Sequence, residues 1–299
     1  SFEDGNQMRG AKAVRDLMAE YGHGDKEIWV TETGWHEGLN NRVTHEDKAY
    51  YLSRALLQNA ALKTFDRIYF YEFVDGGMEP SYGESSYGTL NSVYCDVPYG
   101  AQKAYIAAAN TNWLLGGAEF DRAIDGEPNL DAGKYVYRFN RSNTDGRGKQ
   151  MIALWTNQDA AEYGLDLGVD KATMIDMFGN ERTLYAVDGK FSFCLTDRPV
   201  YLIGDFKEFK ACEPTIKMDR LSANATPEDA VSIEITAAAA GTMAITPVNP
   251  LEFPVAENAG FSGGKAVYTV KTPDAPFFNK YVFFEISDGE KLYYTGKLK

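Results

Sequence analysis

Residues 29 to 35 form the most informative segment of the chain. It reads Trp29-Val30-Thr31-Glu32-Thr33-Gly34-Trp35. Its β-branched and aromatic residues predict a short strand, which Gly34 ends. Because side chains alternate along a strand, Ile28, Val30 and Glu32 are expected to share one face. In a barrel of parallel strands that face points inward, so Glu32 is expected at the open mouth of the barrel. Trp35 places an aromatic ring beside this acid.

The segments on either side of this strand alternate between helix and strand. Helical spacing of apolar residues predicts helices over 6–21, from Thr44 to about Leu62, and over 101–115, the last ending at Gly116-Gly117. Residues 66–74 form an apolar run that predicts a second buried strand. The order helix, strand, helix, strand, helix over 1–117 indicates an α/β region with parallel strands. Two such strands need neighbours on their outer edges.

From residue 118 the pattern becomes all-β. Strands are predicted at 134–140, 150–156, 173–177, 182–186, 191–195 and 199–203, with turn signals between them. Residues 207–215 are predicted to be a linker. Further strands are predicted near 230–236, 242–246, 265–271, 280–286 and 291–297. The expected fold is therefore α/β plus all-β, with an α/β region at 1–117 and β-sandwich domains at 118–206 and 213–299, the last Ig-like.

Composition excludes several classes of partner. The net charge of −13 argues against binding to nucleic acid, and the absence of a run of 18 apolar residues argues against a membrane span. Three widely spaced cysteines predict neither a disulfide framework nor a CxxC metal site. The three histidines are too sparse for a metal centre. We therefore expect no metal and no cofactor.

An acid followed by an aromatic ring suits glycoside chemistry, since the acid can serve the anomeric carbon and the ring the sugar face. The segment 29–35 resembles the seventh strand of clan A glycoside hydrolases. These are retaining enzymes with a (β/α)8 barrel, in which the Glu of a W-[IV]-T-E-x-G-W pattern is the nucleophile. Segments 66–72 (DRIYFYE) and 102–105 (QKAY) resemble the eighth strand and the K-P-A-Y start of the last barrel helix. Segments 176–180 (DMFGN) and 196–201 (TDRPVY) resemble the small β domain beside such barrels.

The resemblance implies that Glu32 is the catalytic nucleophile. It also implies a carbohydrate substrate held by residues near the two strand ends. The expected substrate contacts are Trp35, His36, Phe70, Glu72 and Asp75. Tyr71 is expected to pack against the surrounding helices. The enzyme would act outside the cell or at its surface.

The chain also departs from the family pattern. Phe70 stands where the eighth strand often has Trp, and Ala104 replaces the Pro of K-P-A-Y. The general acid/base of the family is the Glu of an Asn-Glu pair on the fourth strand, and no such pair precedes residue 29. We therefore expect the chain to be the C-terminal part of a hydrolase, inactive alone. It would join a missing N-terminal portion of the barrel or self-associate through exposed strand edges.

A second hypothesis is a non-catalytic carbohydrate-binding or structural protein built on a degenerate barrel. In it the last domain would be a binding module rather than a spacer. Aromatic side chains that could form a sugar platform there are Tyr268, Phe277, Phe278, Tyr293 and Tyr294. Alternating core packing explains most of them and favours the spacer.

Overall fold

The computed structural model describes most of the chain. The described residues are 6–37, 43–79, 81–126, 133–142, 145–158, 160–220, 230–237, 241, 243–249, 251–258, 260–272 and 281–298. Phe277 and Phe278 lie outside them.

Three α-helices and two parallel strands make up the first region of the described chain. In chain order the elements are α1 (Asn6–Glu20), β1 (Trp29–Thr33), α2 (His45–Leu62), β2 (Arg67–Phe70) and α3 (Lys103–Leu115). This is the predicted order of helices and strands. A capping box starts α2: the Thr44 hydroxyl accepts from the Asp47 backbone N–H, and the Asp47 carboxylate accepts from the Thr44 backbone N–H. A left-handed Lys63, with φ of 48°, ends the helix.

Strands β1 and β2 pair in parallel, but the pairing contains an extra residue. Val30 lies opposite Ile68, whereas Thr33 lies opposite Phe70, so three steps along β1 match two along β2. This bulge breaks the alternation of side chains. Ile28 and Val30 pack towards the helices, while Glu32 is exposed. The regular alternation that predicts a shared face for Ile28, Val30 and Glu32 is therefore interrupted between Val30 and Thr33, and for Glu32 the shared face stays a prediction.

The rest of the described chain is β-rich. Its strands are β3 (Ala118–Ala123), β4 (Lys134–Arg141), β5 (Gln150–Thr156), β6 (Ala161–Asp166), β7 (Lys171–Asp176), β8 (Glu181–Tyr185), β9 (Lys190–Leu195), β10 (Val200–Gly204), β11 (Lys210–Cys212), β12 (Ile216–Arg220), β13 (Ala230–Ala237), β14 (Ala244–Pro247), β15 (Val255–Asn258), β16 (Lys265–Lys271), β17 (Val282–Ser287) and β18 (Leu292–Leu298). The segment 207–215, predicted as a linker, contains β11, which pairs with β6 over Lys210–Cys212.

The strands form three sheets beyond the β1–β2 pair. A nine-stranded sheet has the order β14-β17-β18-β8-β7-β10-β5-β4-β3, and smaller sheets have the orders β11-β6-β9 and β12-β13-β16-β15. The nine-stranded sheet crosses from the 118–206 segment into the last segment. It does so through a single parallel pair, Leu292 opposite Leu184.

Large aromatic residues fill the core between the first region and the nine-stranded sheet. Trp155 is fully buried and stacks on Tyr135 with ring centroids 4.9 Å apart. Leu57 of α2 and Leu114 of α3 belong to the same cluster. The two helices are thus anchored on this sheet. In the last segment Tyr268 and Tyr294 are buried in a second core, so packing, and not a sugar platform, accounts for them.

Candidate active site at the strand ends

Glu32 lies exposed at the carboxyl end of β1, next to the end of β2. Gly34 follows it and makes close contact with the other strand. A Cβ atom at Gly34 would lie 1.8 Å from the carbonyl oxygen of Tyr71, a separation that no side chain tolerates. The Tyr71 N–H donates to the carbonyl of Thr33 at 2.7 Å. The ends of β1 and β2 can approach this closely only because residue 34 is glycine. Their approach brings Tyr71 beside the segment that carries Glu32.

Tyr71 faces the strand-end acids. Its hydroxyl donates to the Glu84 carboxylate at 2.8 Å, and its ring meets Tyr87 edge to face at 5.3 Å. The hydrogen bond to Glu84 is the largest cause that raises the pKa of Tyr71 to about 12; burial and the charges of Glu72, Glu84 and Glu32 add to it. The prediction that Tyr71 packs against the helices is wrong, because the end of β2 turns it towards Glu32.

Tyr87 and His36 complete the surroundings of Glu32. Burial raises the pKa of Tyr87, with further contributions from the charges of Glu84 and Glu32. The His36 ring lies 5.1 Å from the Tyr87 ring, and its Nδ1 is 3.2 Å from the Glu37 carbonyl oxygen. The structure thus brings the predicted substrate contact His36 together with two phenol rings near the acid.

Trp35 and Phe70 lie on the helix side of β1 and β2. Their ring centroids are 6.4 Å apart, and Trp35 also packs on Tyr51 of α2 at 5.4 Å. Both pack against the cluster that contains Ala55 and Phe65. The structure therefore joins these two predicted contacts to each other and to α2.

Glu72 lines a cavity of about 340 Å³ between the end of β2 and α3, together with Phe70, Phe73 and Tyr105. Burial is the largest cause that raises the pKa of Glu72. One carboxylate oxygen accepts from the Gly76 N–H at 3.1 Å. Glu72 therefore combines a structural bond to its own loop with access to a cavity.

Asp75 holds the loop that follows β2. Its two carboxylate oxygens accept from the Gly88 N–H at 2.7 Å and from the Gln102 side-chain amide at 2.5 Å. Burial raises its pKa, against the opposing positive charge of Lys48. These bonds give Asp75 a positioning role for the segment that carries Tyr87.

Lys48 of α2 organises both strand-end loops and was missed by the sequence reasoning. The side chain is only 2% exposed and lies 2.8 Å from Glu37. It donates to the Gly88 carbonyl at 2.6 Å and to the Gln102 side-chain oxygen at 2.9 Å. Burial acts to raise the pKa of Glu37, but hydrogen bonds and charge from His45 and Lys48 outweigh it and lower that pKa. Lys48 lies one turn before the predicted apolar residue Leu52 of α2, and this spacing is the signal that the sequence offers.

The part of the chain that the structure describes offers no group of three or more His, Cys, Asp or Glu side chains suited to a metal ion. No helix among the described residues is long and apolar enough to cross a membrane. The described strand ends present carboxylates, phenols and one imidazole.

In barrels of parallel strands the active site lies at the carboxyl ends of the strands, and glycoside hydrolysis uses carboxyl groups. No protein-family model matches the sequence, and no curated protein gives a significant match. Among solved structures, a family 39 glycoside hydrolase from the gut symbiont Bacteroides cellulosilyticus WH2 is similar, with a TM-score of 0.54 and 25% identity over 65% of this chain. The match spans 38% of that protein's chain. The chain is thus structurally related to a glycoside hydrolase.

Proposed function

We propose that this chain belongs to a retaining glycoside hydrolase of clan A, which cleaves O-glycosidic bonds in plant or microbial polysaccharides or oligosaccharides outside the cell or at its surface. The observation that carries the proposal is the position of Glu32. It is exposed at the carboxyl end of β1, and its charge acts on the neighbouring phenols Tyr71 and Tyr87. Similarity to a family 39 glycoside hydrolase supports the same reading.

In this proposal Glu32 is the nucleophile. Its carboxylate attacks the anomeric carbon while the bond to the leaving oxygen breaks, and a second carboxyl group protonates that oxygen. The same second group then takes a proton from water, which releases the sugar and restores Glu32. Tyr71 and Tyr87 keep their hydroxyl protons at neutral pH, since their pKa values are raised. The Tyr71 hydroxyl already donates to Glu84, so Tyr87 is the hydrogen-bond donor for the Glu32 carboxylate or for the sugar ring oxygen.

The second carboxyl group would come from another strand of a barrel that includes β1 and β2. Within the described residues these two strands pair only with each other. Their outer edges would receive the remaining strands of the barrel, and Trp29 and Tyr69, both about half exposed, would be covered. On this proposal the chain alone does not turn over glycosides.

The test is a comparison of the full-length parent with its Glu32→Gln variant on aryl glycosides. We expect kcat to fall by about 10⁴-fold or more, as for loss of other catalytic nucleophiles. A Glu32→Ala variant should recover turnover with azide and yield a glycosyl azide. Glu27→Gln is the matched control, because Glu27 bonds to the Trp29 indole at the other end of the segment. A Glu32→Gln variant as fast as the parent would show that Glu32 is not the nucleophile.

The alternative is a non-catalytic carbohydrate-binding or structural protein. It is favoured by the dominance of β-strands after residue 118. Full-length parent protein that binds oligosaccharides but shows no turnover, with or without Glu32, would support this alternative.

A further inference from the structure

A cleft of about 440 Å³ opens where three parts of the molecule meet, and it shares no lining residue with the surroundings of Glu32. Its walls come from β7, β8 and β10 on one side and from β17 and β18 on the other. Phe178, which packs against the helix cluster of Tyr50 and Ala104, closes one end. The volume falls within the range of small-molecule sites.

The floor of the cleft is largely apolar. Met174, Phe178, Val200 and Phe283 all contribute to it. One face of the Phe283 ring is covered by the Arg198 guanidinium, 4.7 Å from the ring centroid. Flat rings beside aliphatic side chains suit a ligand that presents C–H groups on one face.

Uncharged polar groups are distributed around this floor. The hydroxyls of Thr196 and Thr295 and the side-chain amide of Asn180 line the cleft. Hydroxyls both donate and accept hydrogen bonds, and an amide does the same through separate atoms. Such groups match a ligand whose edge carries several hydroxyls.

Among the described residues that line the cleft, four of the five charged side chains form ion pairs within the protein, and the fifth, Asp176, accepts hydrogen bonds from uncharged groups. The ion pairs are Arg182 with Glu285, Lys297 with Asp197 at 2.5 Å and Arg198 with Glu46 at 3.0 Å. Asp176 accepts from the Asn180 side chain at 2.8 Å and from the Phe178 N–H at 2.9 Å. A charged ligand would compete with these ion pairs or with the hydrogen bonds of Asp176, whereas a neutral ligand can use the hydroxyl and amide groups and leave them intact.

We propose that this cleft binds a neutral oligosaccharide, with the sugar C–H face on Phe178 and Phe283 and its hydroxyls on Thr196, Thr295 and Asn180. Because the walls come from both β segments, bound sugar bridges them and stabilises their junction. The site does not depend on the role of Glu32, so the two proposals fail separately.

The test is titration of the chain with the neutral hexasaccharides of xylan, cellulose, mannan and galactan, followed by calorimetry and ligand-observed NMR. Hexagalacturonate is the charged probe of similar size. We expect binding of at least one neutral hexasaccharide and none of hexagalacturonate. Thr295→Trp, which fills the cleft, should weaken binding by about tenfold or more.

Two further variants keep the result interpretable. Thr295→Val removes only the hydroxyl and should weaken binding by about threefold to tenfold without harm to the fold. Thr183→Trp, an exposed position of the same sheet outside the cleft, is the matched control and should bind as the wild type does. Absence of binding to all four neutral sugars, preference for hexagalacturonate, or binding that Thr295→Trp leaves unchanged would each overturn the proposal.

Discussion

The α/β region before residue 118 and the β-rich region after it bury their apolar side chains very differently. In the β-rich region Tyr135, Trp155 and Phe284 are completely buried. In the α/β region many large side chains are exposed, among them Leu17 at 54%, Phe73 at 63% and Trp113 at 64%. The cluster around β1 and β2 contains only three buried residues, Ala11, Ala55 and Phe65.

The two regions therefore differ in what they contribute to the protein. The β-rich region has the core of a folded domain, whereas the α/β region carries the proposed active-site residues and takes much of its support from α2 and α3 packing on the nine-stranded sheet. The open apolar environment around the strand-end acids supports the proposal that further barrel strands pack beside β1 and β2. The following experiments test that contrast.

The largest expected effect is in the β-rich core. Trp155→Ala should lower the free energy of unfolding by about 4 kcal/mol, since it leaves a cavity beside Tyr135 and Tyr137. Denaturant unfolding followed by circular dichroism measures it. Trp113→Ala, at an exposed position of α3, is the control and should change the value by less than about 0.5 kcal/mol. Similar losses in both variants would contradict the contrast.

The next largest loss of stability is expected at the ion pair between Lys48 and Glu37 in the α/β region. Lys48→Met should destabilise by about 3 kcal/mol, because it leaves Glu37 largely buried with only the exposed His45 beside it and removes the bonds to Gly88 and Gln102. Hydrogen exchange should accelerate at the amides of Gly88 and Gln102, while protection in β4 and β5 stays high. Lys12→Met, which removes an exposed pair with Asp16, is the control. Unchanged exchange at Gly88 would show that Lys48 does not hold these loops.

A buried carboxyl group in the β-rich region predicts a pH dependence. Glu162 accepts from the Tyr294 hydroxyl at 2.8 Å and the Met218 N–H at 3.2 Å. Burial is the largest cause that raises the pKa of Glu162 to about 7, and these two hydrogen bonds act against it. Nearby charged or titratable groups are Cys194, Lys217 and Asp219.

A raised native pKa means that the folded chain holds a proton that the unfolded chain has lost. Stability therefore falls as pH rises from about 4.5 to about 7, by about 2 kcal/mol once partial exposure is discounted. Glu162→Gln should remove this fall, as measured by denaturant unfolding across that range. Glu119→Gln, a substitution at an exposed position, is the control and should keep the same fall in stability. Parallel curves for wild type and Glu162→Gln would reject the assignment.

The smallest stability change is expected at the open face of β1 and β2. Trp29 and Tyr69 contact each other at 6.2 Å and are about half exposed. Replacement of both by Ser should change stability by less than about 1 kcal/mol. It should nevertheless reduce self-association of the chain, measured by sedimentation velocity. A wild-type chain that is monomeric at high concentration would count against association through this face.

Patterns within single segments of the sequence are sufficient to predict the three helices and the first strand. Thr44 with Asp47 predicted the start of α2, and the structure begins that helix at His45. The sequence patterns do not predict strands β3, β6, β12 and β15. In β3 the charged residues of AEFDRA weaken β propensity, and in β6 the glycine of AEYGLD does so. Both are strands because neighbouring strands pair with them, and a single segment does not reveal its partners.

In the candidate site, too, local sequence predicts some features, while others depend on contacts between distant segments. The sequence predicts Glu32 at a strand end, but the bulge beside it depends on pairing with β2. Lys48 and Gln102 are 54 positions apart and meet only in the folded chain. The packing predicted for Tyr71 is wrong because β2 ends at Phe70, and the alternation of side chains does not continue beyond the strand.

The single parallel pair between Leu184 and Leu292 has a mechanical consequence. On either side of it, strands are joined by several residue pairs, as in β4–β5 and β17–β18. A load applied across the nine-stranded sheet would therefore concentrate at this junction, where the fewest backbone hydrogen bonds resist it. In a force-extension experiment the last segment should detach first as one intact body, at a lower force than the rupture of either flanking group of strands.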